Sequence, residues 1–392
     1  MIKYICIFIL NTFLCYPQSY KPFINQILEN NMEIKIYSEY LNGVSLDTKI
    51  NNFLPDPQIS YSYMANNDIS NLNKQEFSIS QSFEFPYSYI IKSDIASFQD
   101  SVNKYKFYEF KKAILLKSFE KLSEYIFNQK YIAQLIEVAL NYENIVKAMQ
   151  TKFDKAEIGL TDLNKVKVNY ATAKYKLDNA RITLNNIVYD INKLNGGINS
   201  NLELSNYDEL PLKDNWDTLI QSLVEADHNI QAFNNQIELE DKKLALAKIS
   251  YLPTLSVAYH YEKDLDLDFS GIQLGMSIPL FENKSKVPKA ENELSLIKLQ
   301  KQNYLNEYIF RKKKLFEKAT LLKKIIEAQK QYIDTNQSNI NKKSLDSAYI
   351  SLTQYFYDNT LYYDAQNSIL ESELEYYKTL YELNIEIIMN EY

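Results

Sequence analysis

The chain has 392 residues, 24% of them charged, and a formal net charge of −7, yet only 6 glycines and 9 prolines to break it. So little punctuation predicts few, long elements in place of the two or three compact domains usual at this length. Lysines and carboxylates are mixed evenly along the chain, which reads as solvated helix faces and excludes the electrostatic footprint of a nucleic-acid partner.

Residues 1–18 have the build of a signal peptide. Lys3 supplies the positive start, and Tyr4 to Cys15 is apolar apart from Asn11 and Thr12, a run too short to span a bilayer. Both cysteines, Cys6 and Cys15, fall in this leader, so a mature chain beginning between Gln18 and Lys21 has neither thiol nor disulfide. A lipoprotein would acylate Cys15, but Leu14 stands where a small residue is expected.

Residues 19–195 form a first unit. Helical spacing of Phe23, Ile27, Ile34, Tyr37 and Leu41 predicts a helix over 22–53. Two alternating segments follow. Over 57–65, Ile59, Tyr61 and Tyr63 oppose Ser60 and Ser62; over 77–85, Phe77, Ile79, Phe83 and Phe85 oppose Ser78, Ser80, Ser82 and Glu84. A half-buried soluble hairpin gives such a pattern, and so does a membrane strand with one face in lipid and one toward water. A secretory leader, two such hairpins and aromatic residues clustered at their ends favour the membrane. From Tyr87 to Lys155 no Gly or Pro intervenes, which predicts a helix of about 100 Å. The chain reverses near Gly159, and Thr161 is placed to cap a return helix whose Leu163, Val166, Tyr170, Ala173, Leu177, Ala180 and Leu184 make a heptad-like seam. That helix ends at Asn195-Gly196-Gly197.

After a polar connector, 196–213, the pattern repeats over 214–392. A helix runs to Tyr251. Strands are predicted over 254–262, where Leu255, Val257, Tyr259 and Tyr261 oppose Ser256, Ala258, His260 and Glu262, and over 271–279, where Ile272, Leu274, Met276 and Ile278 oppose Gln273, Gly275 and Ser277. A polar loop, 66–75, and an acidic loop, 262–268, join the strands of each pair. A second helix of about 90 Å covers 285–346, and a return helix follows from Ser351. The opening prolines Pro55 and Pro253 stand 198 residues apart, the closing prolines Pro86 and Pro279 193, and Ala156-Glu-Ile-Gly-Leu-Thr and Ala348-Tyr-Ile-Ser-Leu-Thr 192. These offsets mark a duplication far longer than a solenoid repeat. Closed membrane barrels have about eight strands or more, so four strands per chain must be completed by other chains.

Ala245-Leu-Ala-Lys-Ile-Ser-Tyr-Leu-Pro-Thr-Leu-Ser-Val257 with Gly271-Ile-Gln-Leu-Gly-Met-Ser-Ile-Pro-Leu-Phe281, and Asn52-Phe-Leu-Pro-Asp-Pro57 with Phe83-Glu-Phe-Pro86, resemble the outer-membrane efflux protein (TolC) family over essentially the whole mature chain. The resemblance implies a mainly α fold with a small membrane β-barrel part: a homotrimer whose twelve strands make one barrel in outer-membrane lipid, continued by an α-helical barrel across the periplasm. It implies an exit duct of a tripartite efflux or type I secretion system in a Gram-negative bacterium. A periplasmic adaptor and an inner-membrane pump would be its partners, and they would choose a cargo such as metal ions or drugs. Two departures stand out. The glycine common near the hairpin tips is kept as Gly159 but is Ser351 in the second copy, and the acidic residue usual a few positions later is Asn164 and Phe356.

The matched turns make Gly159, Leu160, Thr161, Ser351, Leu352 and Thr353 candidates for adaptor docking, although two helix-reversing turns would match for structural reasons alone. Asp154, Glu157 and Asp162 cluster at the first turn, as a gate or cation-selecting ring would need and as a solvated helix end also provides. His228 and His260 are far apart, the methionines are scattered and no Ser/His/Asp group is available, so neither enzyme, metal site nor cofactor is expected. A periplasmic adaptor would show one hairpin and glycine-rich soluble β-segments; a structural coiled-coil protein would lack the duplicated strand pairs.

Overall fold

The computed structural model describes residues 19–392 other than 51, 66–72, 214, 265–266, 280, 282 and 334–335. The leader, with Cys6 and Cys15, and parts of both hairpin loops lie outside the described residues. In chain order the elements are α1 (Lys21–Asn30), α2 (Met32–Ile50), β1 (Gln58–Ala65), β2 (Asn73–Phe83), α3 (Pro86–Asp154) and α4 (Leu160–Leu194). Then come α5 (Trp216–Ala226), α6 (His228–Ile249), β3 (Thr254–Asp264), β4 (Leu267–Ser277), α7 (Lys286–Tyr332), α8 (Gln337–Asp346) and α9 (Leu352–Met389). The succession of helix, strand pair, long helix and return helix occurs twice, as the offsets predict.

Three helices expected to be continuous are broken, two of them at a polar residue whose side chain bonds elsewhere. Asn31 is extended between α1 and α2 (φ −61°, ψ 118°), and its Nδ2 donates to the carbonyl of Leu194 at 2.8 Å. Asp227, fully buried, ends α5 and caps α6 by accepting from the Ile230 amide at 2.8 Å. It also accepts from the Tyr304 hydroxyl at 3.0 Å. The second long helix stops at Tyr332 and resumes at Gln337.

The strands also differ from expectation, because backbone pairing carries them past the apolar alternation. β2 starts at Asn73, β3 runs on to Asp264 and β4 starts at Leu267, in stretches too polar or irregular to read as strand. β2 and β4 end at Phe83 and Ser277, short of Phe85 and Ile278. Proline lacks an N–H for the ladder, and Pro86 and Pro279 follow directly.

The chain divides into two compact units. The first comprises residues 1–32, 111–223 and 311–392, and its described residues are mainly helical, without strands. Tyr20 is fully buried, with its ring 5.7 Å from that of Tyr381, which stacks on Phe119 at 4.3 Å. Asp208 in the connector accepts from the Tyr20 amide at 2.9 Å, fixing the start of α1. The end of α4 is held at Gly196 (φ +67°), where a Cβ would lie 2.5 Å from the Asn30 carbonyl oxygen, so only glycine fits. Lys312 and Glu386, both almost wholly buried, meet at 2.6 Å. Lys112 lies 3.6 Å from the same carboxylate. Burial pulls the Lys312 ammonium below the usual lysine range while Glu386 pulls it back. Such a pair adds little net stability, since desolvation offsets its attraction, but each charge is costly without the other. It therefore fixes the register of α7 against α9 more than it strengthens their packing.

The second unit, 33–110 and 224–310, holds the sheet. Its strands are all antiparallel, in the order β1-β2-β3-β4. The pairing of β2 with β3 joins the two copies, through Phe77↔Tyr261 and Ile79↔Tyr259 among others.

Candidate functional site

Register settles which residues share a face, because residues opposite one another in an antiparallel ladder point the same way. One row reads Ile59, Ile79, Tyr259, Ile272, and Leu255, Val257, Leu274 and Met276 continue that face. The next row reads Ser60, Ser78, His260, Gly271 and belongs to the opposite face, with Ser80, Ser256, Gly275 and Ser277. A Cβ on Gly275 would lie 2.5 Å from Ser256 Oγ, which would have to turn away, whereas Gly271 has open space around it. The apolar face is not covered by the described residues of the chain. Ile59 is 68% exposed and Ile272 and Leu274 are each 77% exposed. A soluble sheet hides its apolar face; here that face is bare. The alternation read from the sequence, including His260 on the polar face, matches the register.

At the helix reversals the two copies share one backbone device. After α3, Ala156 has φ +59°, and after α8, Ala348 has φ +58°. The amide of Ala156 donates to the Phe153 carbonyl and that of Glu157 to Lys152, at 2.8 and 2.9 Å; Ala348 and Tyr349 donate to Leu345 and Ser344, at 3.0 and 2.8 Å. Both are Schellman turns with alanine where glycine is usual. Gly196 fills the equivalent position after α4, its amide and that of Gly197 donating to Lys193 and Asn192. Gly159 and Ser351 are N-cap residues with ordinary backbone (φ −83° and −71°), and Ser351 Oγ accepts from the Gln354 amide. This corrects the expectation that Thr161 caps α4: it sits inside the first turn. It also explains the departure at 351, since serine caps at least as well as glycine there.

The candidate docking residues are not equivalent. Leu160 is 58% exposed, whereas Leu352 packs on a cluster containing Val138, Tyr142, Val166, Tyr355 and Phe356, with Leu345 and Ile350 beside it. Residues flanking both turns thus share one core. Burial in this region pushes the Tyr363 hydroxyl up to about 12. It is thus a neutral group, within 2.8 Å of the Ser338 hydroxyl. Phe356 packs edge-on to Tyr142 at 4.9 Å, so that position faces the core and is no place for a gating carboxylate; Asn164 is exposed. Asp154, Glu157 and Asp162 are exposed as well. Asp154 accepts from Gln150 at 2.9 Å and Asp162 lies 3.5 Å from Lys165, local contacts that a solvated helix end would make. The return-helix seam is correct: Leu163, Val166, Ala173, Leu177 and Ala180 are buried. On another face of α4, Val168, Tyr175, Ile182 and Tyr189 recur every seven residues and are 58–73% exposed.

Among the described residues no group of three His, Cys, Asp or Glu is placed to hold a metal ion. His228 lies against the rings of Tyr105 and Tyr108, at 6.1 and 4.8 Å. No described helix is long and apolar enough to cross a membrane.

No family profile matches the sequence, and no curated protein matches it. The fold does match solved structures. The outer membrane channel CmeC of Campylobacter jejuni aligns over 93% of this chain and 84% of its own, with a TM-score of 0.77 at 15% identity. The outer membrane protein VceC of Vibrio cholerae aligns over 94% of both chains (TM-score 0.74, 11% identity). The MtrE outer membrane channel of Neisseria gonorrhoeae, in its open state, covers 94% of this chain and 88% of its own (TM-score 0.71, 11% identity). The chain therefore has the fold of an outer-membrane channel subunit: mainly helical, with one four-stranded antiparallel sheet.

The turn geometry carries a stability prediction. Ala348→Gly removes a strained alanine and should stabilise the protein by about 0.5–1 kcal/mol, while Gly159→Ser, at an ordinary φ with open space around it, should shift stability by only a few tenths. Thermal unfolding of the two variants checks both. A large loss in Gly159→Ser would show that the turn needs glycine after all.

Proposed function

We propose that the chain is one subunit of a TolC-type outer-membrane channel, a passive exit duct through which an inner-membrane pump and a periplasmic adaptor expel cargo from a Gram-negative cell. The observation that carries this reading is the bare apolar face of a sheet with two open edges. Lipid would solvate that face, and neighbouring copies would pair the edges of β1 and β4, because unpaired backbone groups are costly in hydrocarbon. Three copies supply twelve strands, enough to close. The exposed heptad stripe on α4 is consistent with assembly too, since apolar residues at this spacing make a coiled-coil seam once a second helix packs on them. The fold shared with CmeC, VceC and MtrE supports the same reading.

In this account Ile79 and Leu274 face lipid and Ser80 and Ser277 face the water-filled bore. Arginine at either apolar position near mid-membrane should cost about 2–4 kcal/mol in unfolding from bilayers, and arginine at the serines far less. Equal costs on the two faces would refute the lipid assignment.

The turns at Gly159, Leu160 and Thr161 and at Ser351, Leu352 and Thr353 form the adaptor-docking end of this proposal, with Asp154, Glu157 and Asp162 beside them at the duct entrance. Leu160→Asp should leave the assembly intact and abolish efflux. Leu352→Asp, which breaches the shared cluster, should reduce assembly as well. Unchanged efflux in a stable Leu160→Asp protein would remove the first turn from the docking site.

A further inference from the structure

In the first unit a cleft of about 110 Å³ lies between residues 131–142 of α3, 169–176 of α4 and 360–367 of α9. Its apolar side is made by Leu135, Val138 and Ala173, all buried. Its polar side is drawn from all three helices: Gln134 from α3, Asn169 and Thr172 from α4, Asp364 and Asn367 from α9.

What this polar side offers is oxygen. The Gln134 amide nitrogen donates to the Tyr363 carbonyl at 2.9 Å, and that of Asn367 to the Glu371 carboxylate at 2.7 Å. Gln134 Oε1 and Asn367 Oδ1 are left buried, with no donor to either among the described residues. Asn169 donates to the Lys165 carbonyl and the Thr172 hydroxyl to that of Val168, at 2.9 Å each, so their oxygens keep lone pairs for the cleft. Asp364 adds a carboxylate. Burial raises the Tyr131 and Tyr142 phenols above their ordinary range, and Asp364 adds to the shift of both, a sign that its field reaches the cleft.

A buried acceptor without a donor is costly, and proteins seldom keep two around one cleft. Amide, hydroxyl and carboxylate oxygens without thiol or imidazole are the ligand set of hard cations. The volume admits an ion with several waters, each of which needs roughly 10–15 Å³.

We infer that the cleft binds a divalent cation of the calcium class, with Gln134 Oε1, Asn367 Oδ1 and the Asp364 carboxylate as its protein ligands and water completing the coordination. Magnesium suits the set less well, because it demands near-ideal octahedral geometry and gives up water reluctantly. One carboxylate makes a weak site, with a Kd of about 10⁻⁴–10⁻³ M. The ion braces α9 against α3 within one chain, so the inference stands whether or not the chain forms a channel. Lys176, exposed at the rim, is the cation that competes for the same oxygens.

The test combines thermal unfolding with terbium luminescence on the purified full-length protein in mild detergent. Terbium accepts the oxygen ligands of calcium and is excited through neighbouring tyrosine rings, here Tyr131 and Tyr142. CaCl₂ at about 10 mM should raise Tm by about 2–4 °C, MgCl₂ at equal ionic strength should do so by less than half as much, and Ca²⁺ should displace the terbium signal. Asp364→Asn, at an exposed position, and Asn367→Leu should each weaken binding about tenfold or more; if Asn367→Leu fails to fold, Asp364→Asn decides. Glu157→Gln/Asp162→Asn, at the helix reversal, should change nothing. Equal responses in wild type and Asp364→Asn would overturn the inference by placing the ion elsewhere, and equal responses to Ca²⁺ and Mg²⁺ would reduce it to charge screening. A folded wild type that answers to neither ion would leave the cleft to water, and a response seen only in Lys176→Met would give it to the lysine; both contradict the assignment.

Discussion

A sheet of four antiparallel strands has two edges, and each edge presents a row of backbone donors and acceptors without partners. In water such edges are tolerated; in hydrocarbon each unpaired group costs several kcal/mol. The exposed face bearing Ile59, Ile272, Leu274 and Met276 makes the conflict sharper, since it favours the same environment that the edges cannot enter alone. Closure by further copies resolves both demands. The proposed assembly thus follows from an imbalance within one chain and is not an added feature.

The helical unit obeys a different constraint. Its helices are too long for their ends to be set by propensity, so the chain places polar residues where ends or breaks are needed. Asn31 leaves a helix because its side chain has a better partner outside it, and Asp227 does the same in the unit that holds the sheet. The buried Lys312–Glu386 pair fixes register between α7 and α9. The left-handed alanines at 156 and 348 end two helices identically, so the duplicated chain kept a strained turn in both copies. Where the approach of another backbone leaves no room for a Cβ, at Gly196, the same turn uses glycine.

Much of this was legible in the sequence, for identifiable reasons. Alternation of Ile59, Tyr61 and Tyr63 with serine shows both strand and face, because the side-chain period of a strand is two. The seam from Leu163 to Ala180 shows the buried side of α4. Offsets near 195 residues show the duplication. What stayed hidden was set by partners distant in the chain. Nothing local distinguishes Asn31 from any other helix asparagine, since its partner is the carbonyl of Leu194. The strand character of Asn73 to Glu76 comes from the ladder and lacks any apolar pattern. Leu160 and Leu352 match as letters, and only the packing of Leu352 on the Tyr355 cluster separates them. The ion pairs of Lys74 with Glu76 and Glu262 stayed hidden because Lys74 and Glu262 lie in different repeats and meet only through the pairing of β2 with β3.

The central claim is that one chain cannot complete its own barrel. Its most direct test is the mass of the protein extracted from outer-membrane fractions in mild detergent, measured together with its β-sheet circular dichroism. Three chains per particle, with folded strands, is the predicted result; single chains that keep their strands folded would contradict the account.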